Sequence, residues 1–104
     1  MSLSIKALAD GQLANSKGTL YTTPASTQTI VKSITFYNSG AGANVVNLYI
    51  KPGATSRQLM KRTIITLDAA QWTTEITLEA GDLIEGDATT ANEVDYTISG
   101  TQNA

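Results

Sequence analysis

The chain contains no cysteine and no histidine. The first absence excludes a disulfide frame. The second removes the side chain that most often serves as general base near neutral pH and as metal ligand. Together they exclude ordinary zinc sites, because carboxylates alone suit harder ions. A serine nucleophile would also lack its usual base. The adjacent pairs Ser16-Lys17 and Lys32-Ser33 do not replace it, since neighbours in a strand point to opposite faces. No segment is apolar for long enough to span a membrane, and Met1 to Lys6 lacks the apolar core of a signal peptide. The expectation is a soluble protein without catalytic residues, metal or cofactor.

Charge is scarce and one-sided. Only 15% of residues are charged, well below the usual quarter. All seven basic residues (Lys6, Lys17, Lys32, Lys51, Arg57, Lys61, Arg62) lie in the first 62 positions, against Asp10 alone. Every later charge is acidic: Asp68, Glu75, Glu79, Asp82, Glu85, Asp87, Glu93 and Asp95. Either the two parts neutralise each other inside one domain, or they present surfaces of opposite sign to neighbours. Nucleic acid is not an expected partner. The net charge is −2, only Lys61 and Arg62 are adjacent cations, and the aromatics Tyr21, Phe36, Tyr37 and Tyr49 are scattered.

At 104 residues there is room for one domain with one thin core. No stretch keeps a helical period; β-branched residues alternate between turn signals instead. Short strands are expected at Ile5–Leu8, Thr19–Thr23, Gln28–Tyr37, Asn44–Ile50, Arg57–Leu67, Thr73–Leu78, Leu83–Glu85 and Glu93–Ser99. In the third, Ile30, Ile34 and Phe36 share a face that Lys32 interrupts, which places its far end at a sheet edge. Val46, Leu48 and Ile50 face inward in the fourth, with Val45, Asn47 and Tyr49 outward. In the fifth, Leu59, Ile65 and Leu67 fall in register. The fold class is all-β: a single antiparallel sandwich of about eight short strands, immunoglobulin-like or jelly-roll. Residues 18–104 form the sandwich, and residues 1–17 an extended arm or a first edge strand.

The carboxylates Asp82, Glu85, Asp87, Glu93 and Asp95 are the one constellation with chemical potential, as a calcium site or an acid/base pair. Their spacing misses the helix-loop-helix calcium pattern. Glu93 and Asp95 also flank inward Val94, Tyr96 and Ile98, so a solvated or partner-facing surface is the favoured account. Trp72 suits a core lid, and Tyr37 with Tyr49 an outer pair on adjacent strands. As an alternative, Trp72, Tyr37 and Tyr49 would form a carbohydrate platform. Residues expected at a protein interface are Lys6, Lys17, Tyr37, Tyr49, Arg57, Lys61, Arg62, Glu85, Glu93 and Asp95.

Gly18 to Thr27 (GTLYTTPAST), Ile30 to Thr35 (IVKSIT) and Asn38-Ser39-Gly40 occur in that order. With Val46 to Ile50 (VNLYI) and Leu78 to Gly86 (LEAGDLIEG), they resemble small β-sandwich proteins of tailed bacteriophage virions. The resemblance covers most of residues 18–100. It implies a structural role, as a head decoration or cement protein bound to the major capsid protein, or at a fibre base. It further implies a homo-oligomer, a trimer on a local three-fold, assembled in the host cytoplasm, with no catalytic residues to carry over.

Overall fold

The computed structural model describes residues 3–104, which form nine strands. They are β1 (Leu3–Gln12), β2 (Gly18–Thr22), β3 (Gln28–Asn38), β4 (Asn44–Lys51), β5 (Arg57–Ile64), β6 (Asp68–Trp72), β7 (Ile76–Leu78), β8 (Leu83–Asp87) and β9 (Val94–Asn103). One sheet runs β1-β9-β3-β6, with β7 continuing the β6 edge along β3; the other runs β2-β8-β4-β5. All pairs are antiparallel, and they nest from the outside inward: β1 with β9, β2 with β8, β3 with β6 and β7, β4 with β5. That is one long hairpin wrapped into two layers, a jelly roll. It decides between the two topologies left open by the sequence.

The core lies between the layers. Leu13, Val31, Ile34, Phe36, Val46, Leu48, Leu78, Ile84 and Val94 are wholly buried, each contributing about 1.5–3 kcal/mol by leaving water. The expected inward faces of β4, β7 and β9 are the observed ones, with Tyr96 half-buried at the rim. Strand β3 differs. Lys32 is an extra residue in its pairing with β9, between Val31 and Ser33. A bulge reverses the alternation, so Thr29 and Val31 point inward before it, Ile34 and Phe36 after it, and Ile30 points out. Lys32 therefore does not mark an edge. β3 is an interior strand, and its bulged lysine reaches solvent to pair with Glu75.

The expected strand Arg57–Leu67 is also corrected. It stops at Ile64, where Ile65 to Leu67 turn the chain and leave Ile65 and Leu67 exposed. Leu67 has φ of +58°, in the left-handed region, and its N–H bonds the Asn38 carbonyl. A strand not expected from sequence, β6, follows at once. The turn is held by a buried polar hub. Asn38 Nδ2 donates to the carbonyls of Gly42 (2.9 Å) and Ile64 (2.8 Å), while its Oδ1 accepts from Gly40 N (2.9 Å) and Asn44 Nδ2 (3.2 Å). Asn44 also bonds Glu93 and Thr90, so two wholly buried asparagines tie three loops at one end of the sandwich.

Candidate functional site

The outer face of the β2-β8-β4-β5 sheet carries a connected network of polar and charged side chains. Its alternation puts Asn47 and Tyr49 outward from β4. The register then sets Asp87 and Lys61 on either side of Asn47, and Glu85 and Gln58 on either side of Tyr49. Asn47 Nδ2 donates to Asp87 (2.7 Å), and Gln58 Nε2 donates to Asn47 Oδ1 (2.8 Å). Ser56 Oγ donates to Glu85 (2.9 Å) and accepts from Lys17 Nζ (3.3 Å), whose ammonium lies 4.5 Å from the centre of the Tyr49 ring. This cover leaves Glu85 only 9% exposed although it sits on an outward position. A shallow groove of about 360 Å³ runs beside the network, lined by Asn15, Val45, Asn47, Lys61, Asp87 and Thr89.

Burial first, then the charge and hydrogen bond of Asp87, and then the charge of Glu85 hold the Tyr49 phenol above its ordinary value. Burial and then Asp10 do the same for Tyr96. Folded chains therefore keep these protons when unfolded ones begin to lose them near pH 10.0. Stability from this source is intact below the unfolded value and lost as pH rises through the folded one. Tyr49→Phe keeps the ring beneath Lys17 and is expected to flatten the alkaline limb of a plot of urea midpoint against pH. An unchanged limb would remove the Tyr49 phenol from the account.

The charge split resolves into two different uses. Most carboxylates are taken up by neutral donors within the fold. Asp82 accepts from Gly53 N and Glu79 N, Glu79 from Gln28, Glu93 from Asn44, and Asp95 from Gln12, besides the Glu85 and Asp87 bonds above. Among the described residues, Lys32–Glu75 is the one ion pair. Arg57, Lys61 and Arg62 stand exposed along β5, at the free edge of its sheet. Arg57 and Arg62 take inward-facing positions there, opposite Ile50 and Val46, and a bulge at Leu59 twists the strand. Such features keep an edge from pairing with another strand, yet they also leave a row of cations on display.

The expected interface residues are thus dispersed. Lys17, Tyr49 and Glu85 come together on one face, and Arg57, Lys61 and Arg62 share its edge. Tyr37 and Asp95 sit directly opposite each other on the outer face of the other sheet. Lys6 is on β1, and Glu93 is in the loop against Asn44. Tyr37 and Tyr49 are therefore not an outer pair: β3 and β4 belong to different sheets. Trp72 is half-buried on β6 opposite core residue Ile34, its Nε1 enclosed without an acceptor among the described residues. The three aromatics form no common platform. Asp82, Glu85 and Asp95 likewise share no cleft: Asp82 caps a turn, and the other two lie on opposite faces. Asn38, Asn44 and Asn47 are not among the residues expected to matter, and Asp87 is expected only as part of the acidic run. For the two buried asparagines the signal was present, since each continues an inward alternation, after Phe36 and before Val46.

No family model and no curated protein sequence matches this chain. Solved structures do. A chain of Bacillus endospore appendages, described as disulfide-linked pili, aligns with a TM-score of 0.57 at 17% identity, over 99% of this chain and 88% of that one. A chain of the T13 particle of infectious bursal disease virus aligns with a TM-score of 0.55 at 10% identity. That match covers 96% of this chain and 30% of the viral one, so this chain spans under a third of its length. A pentameric capsid protein from metagenomic phage sequences aligns over 91% of this chain and 66% of that one at 17% identity, with a TM-score of 0.45. At these identities the likeness is one of fold.

Proposed function

We propose that the chain is a non-catalytic structural subunit of a virion, a decoration or cement protein that binds the major capsid protein and stabilises the head. The observation carrying this reading is the unequal use of charge. Carboxylates are spent inside the domain, while Arg57, Lys61 and Arg62 remain free along one edge to meet an acidic neighbour. The fold shared with a viral particle chain supports the setting. So does the resemblance of residues 18–100 to small virion sandwiches. A protein without cysteine is also suited to stability in a reducing cytoplasm, where disulfides would not persist.

The test is co-sedimentation with shells assembled from the major capsid protein of the same genome. Wild type is expected to pellet with the shells and to be released by salt, because exposed charges are screened within about 10 Å at 0.1 M. The triple reversal Arg57→Glu, Lys61→Glu, Arg62→Glu is expected to weaken binding by about tenfold or more, since it replaces attraction by repulsion at three positions. Salt-insensitive binding, or binding unaffected by the reversal, would turn the reading away from this edge.

A second reading is a filament subunit, favoured by the endospore appendage chain, which this chain matches over nearly the whole of both lengths. Without cysteine it has no disulfide link of that kind to make. Pelleting without any shell present would support this reading over the first.

A further inference from the structure

Four strands or strand pairs bound the two sheets, and three of these edges are blunted. β5 carries its cations and bulge. β2 is five residues long, bulged at Leu20 and followed by Pro24. The β6 and β7 edge is broken into pieces of five and three residues. β1 is different. Before its bulge at Leu8, the run Leu3 to Ala7 pairs with β9 on one side and leaves its other backbone edge open. Ile5 is 93% exposed and Leu3 70% exposed, both on the outer face, in rows that lead to Thr101 and Ile30 and to Asn103 and Gln28. A flat apolar edge of this kind is a template for another strand.

We propose that the occupant is a second copy of this chain, paired through β1 antiparallel to β1 about a two-fold axis centred on Ile5. Symmetry and chemistry select the register. A two-fold normal to the sheet keeps outward residues opposite outward residues, so the numbers of each opposed pair must sum to an even value. Centring on Lys6 would oppose two ammonium groups, and like charges directly opposite are destabilising. Centring on Ser4 engages only Leu3 to Ile5 among the described residues. Centring on Ile5 engages all of Leu3 to Ala7, sets Lys6 against Ser4 of the second copy, and stops at the Leu8 bulges. Leu3, Ile5 and Ala7 of both copies then form one apolar strip, continued by Ile30, which is 37% exposed on the neighbouring face. Lys6 points towards the inner side yet is exposed, so β2 does not lie under this part of β1 and the approach is open. Such an isologous contact closes at two copies, in place of the three-fold expected from the sequence. It is independent of the shell-binding reading.

The cysteine-free background makes the test direct. Opposed residues of an antiparallel pair have Cα atoms about 4.5–5.5 Å apart, within the span of about 4.4–6.8 Å that a disulfide bridges. Under mild oxidation Ile5→Cys is expected to form a disulfide dimer at least about tenfold faster than Thr19→Cys, an exposed position on another edge, because pairing raises the effective thiol concentration. In the oxidation, two thiols lose two electrons and two protons to the added oxidant. Without oxidant, light scattering of concentrated wild type is expected to give a dimer mass and that of Ile5→Lys a monomer mass. The near-complete exposure of Ile5 leaves the fold out of that comparison. Equal oxidation rates, a wild-type monomer, a trimer, or a dimer that survives Ile5→Lys would each overturn the proposal. Shells are absent from these measurements, so their failure is separate from a failure of shell binding.

Discussion

Gly100→Ala is expected to remove a large share of the stability of this domain. Gly100 lies in β9 between Lys6 of β1 and Val31 of β3, next to the Lys32 bulge of β3 and two residues from the Leu8 bulge of β1. A Cβ built on it would stand 2.1 Å from the carbonyl oxygen of Ile30 and 3.1 Å from Val31 Cα. Those are backbone atoms of an interior strand, paired on both sides, so no side-chain rotation relieves the clash. Either β3 or β9 must shift, disturbing the layer that holds Val31, Ile34 and Ile98. Overpacking in a core costs about 1–3 kcal/mol when side chains can yield, and more when they cannot. Taken as about 3 kcal/mol, the loss corresponds to a thermal midpoint lower by about 12–24 °C, against a total stability of about 5–15 kcal/mol. Gly42→Ala is the control. Nothing lies within 4 Å of its Cβ position, and its stability is expected to stay within about 0.5 kcal/mol of wild type. Equal midpoints for the two variants would refute the close approach at Gly100.

A second large effect is expected from Asn38→Asp, which changes one atom. Asn38 uses both amide hydrogens and both oxygen lone pairs, all inside the protein. An aspartate keeps the acceptor side but aims a second carboxylate oxygen at the carbonyls of Gly42 and Ile64. Two carbonyls lose their donor, and a buried charge gains no cation. Uncompensated buried charge costs about 3–5 kcal/mol, and each orphaned acceptor about 1–3 kcal/mol if nothing relaxes. Taken at the lower end of each range, these set an expected loss of about 5 kcal/mol at neutral pH. The sign of its pH dependence is diagnostic. A protonated carboxyl can donate to one of the two carbonyls, so the folded variant holds its proton more tightly than the unfolded chain. Its deficit is expected to shrink as pH falls towards the ordinary carboxylate range and to grow as pH rises. A deficit independent of pH would mean that the amide is not the donor to these carbonyls.

Strand content was legible wherever alternation ran unbroken. In Asn44–Ile50 each inward and outward assignment holds, and so do those of β7 and β9, because period two maps directly onto two faces. Bulges broke the inference elsewhere. Lys32 shifts the phase of β3, a change that the pattern Ile30, Ile34, Phe36 conceals, since a spacing of four preserves parity until an extra residue is recognised. Leu67 conceals the end of β5 because a leucine at positive φ carries no turn signature of its own; the Asn38 carbonyl that holds it lies 29 positions away in sequence.

The charge split itself was plain, but its use depended on partners of no charge. Gln12, Gln28, Asn44, Asn47 and Ser56 satisfy the acidic half. No count of ionisable residues reveals which neutral side chains will stand beside them. The tyrosines were misjudged for a topological reason. Tyr37 and Tyr49 sit on consecutive strands, which in a meander would be neighbours. In a wrapped hairpin the connection crosses from one layer to the other, so they face opposite directions.

The nested pairing also governs when this molecule can exist. β9 is inserted between β1 and β3, so the first layer has a gap at its centre until residue 103 has left the ribosome. Only the β4–β5 hairpin joins strands adjacent in sequence. The remaining pairings close loops of increasing length, the kind of contact that slows folding to milliseconds or seconds. Synthesis proceeds at about 5–20 residues per second, so the nascent chain waits rather than folding piecemeal. An interrupted product lacking β9 keeps β3 with β6 and β7 but offers β1 nothing to pair with. Emergence of β9 thus acts as a checkpoint, admitting only copies that carry it to whatever they build.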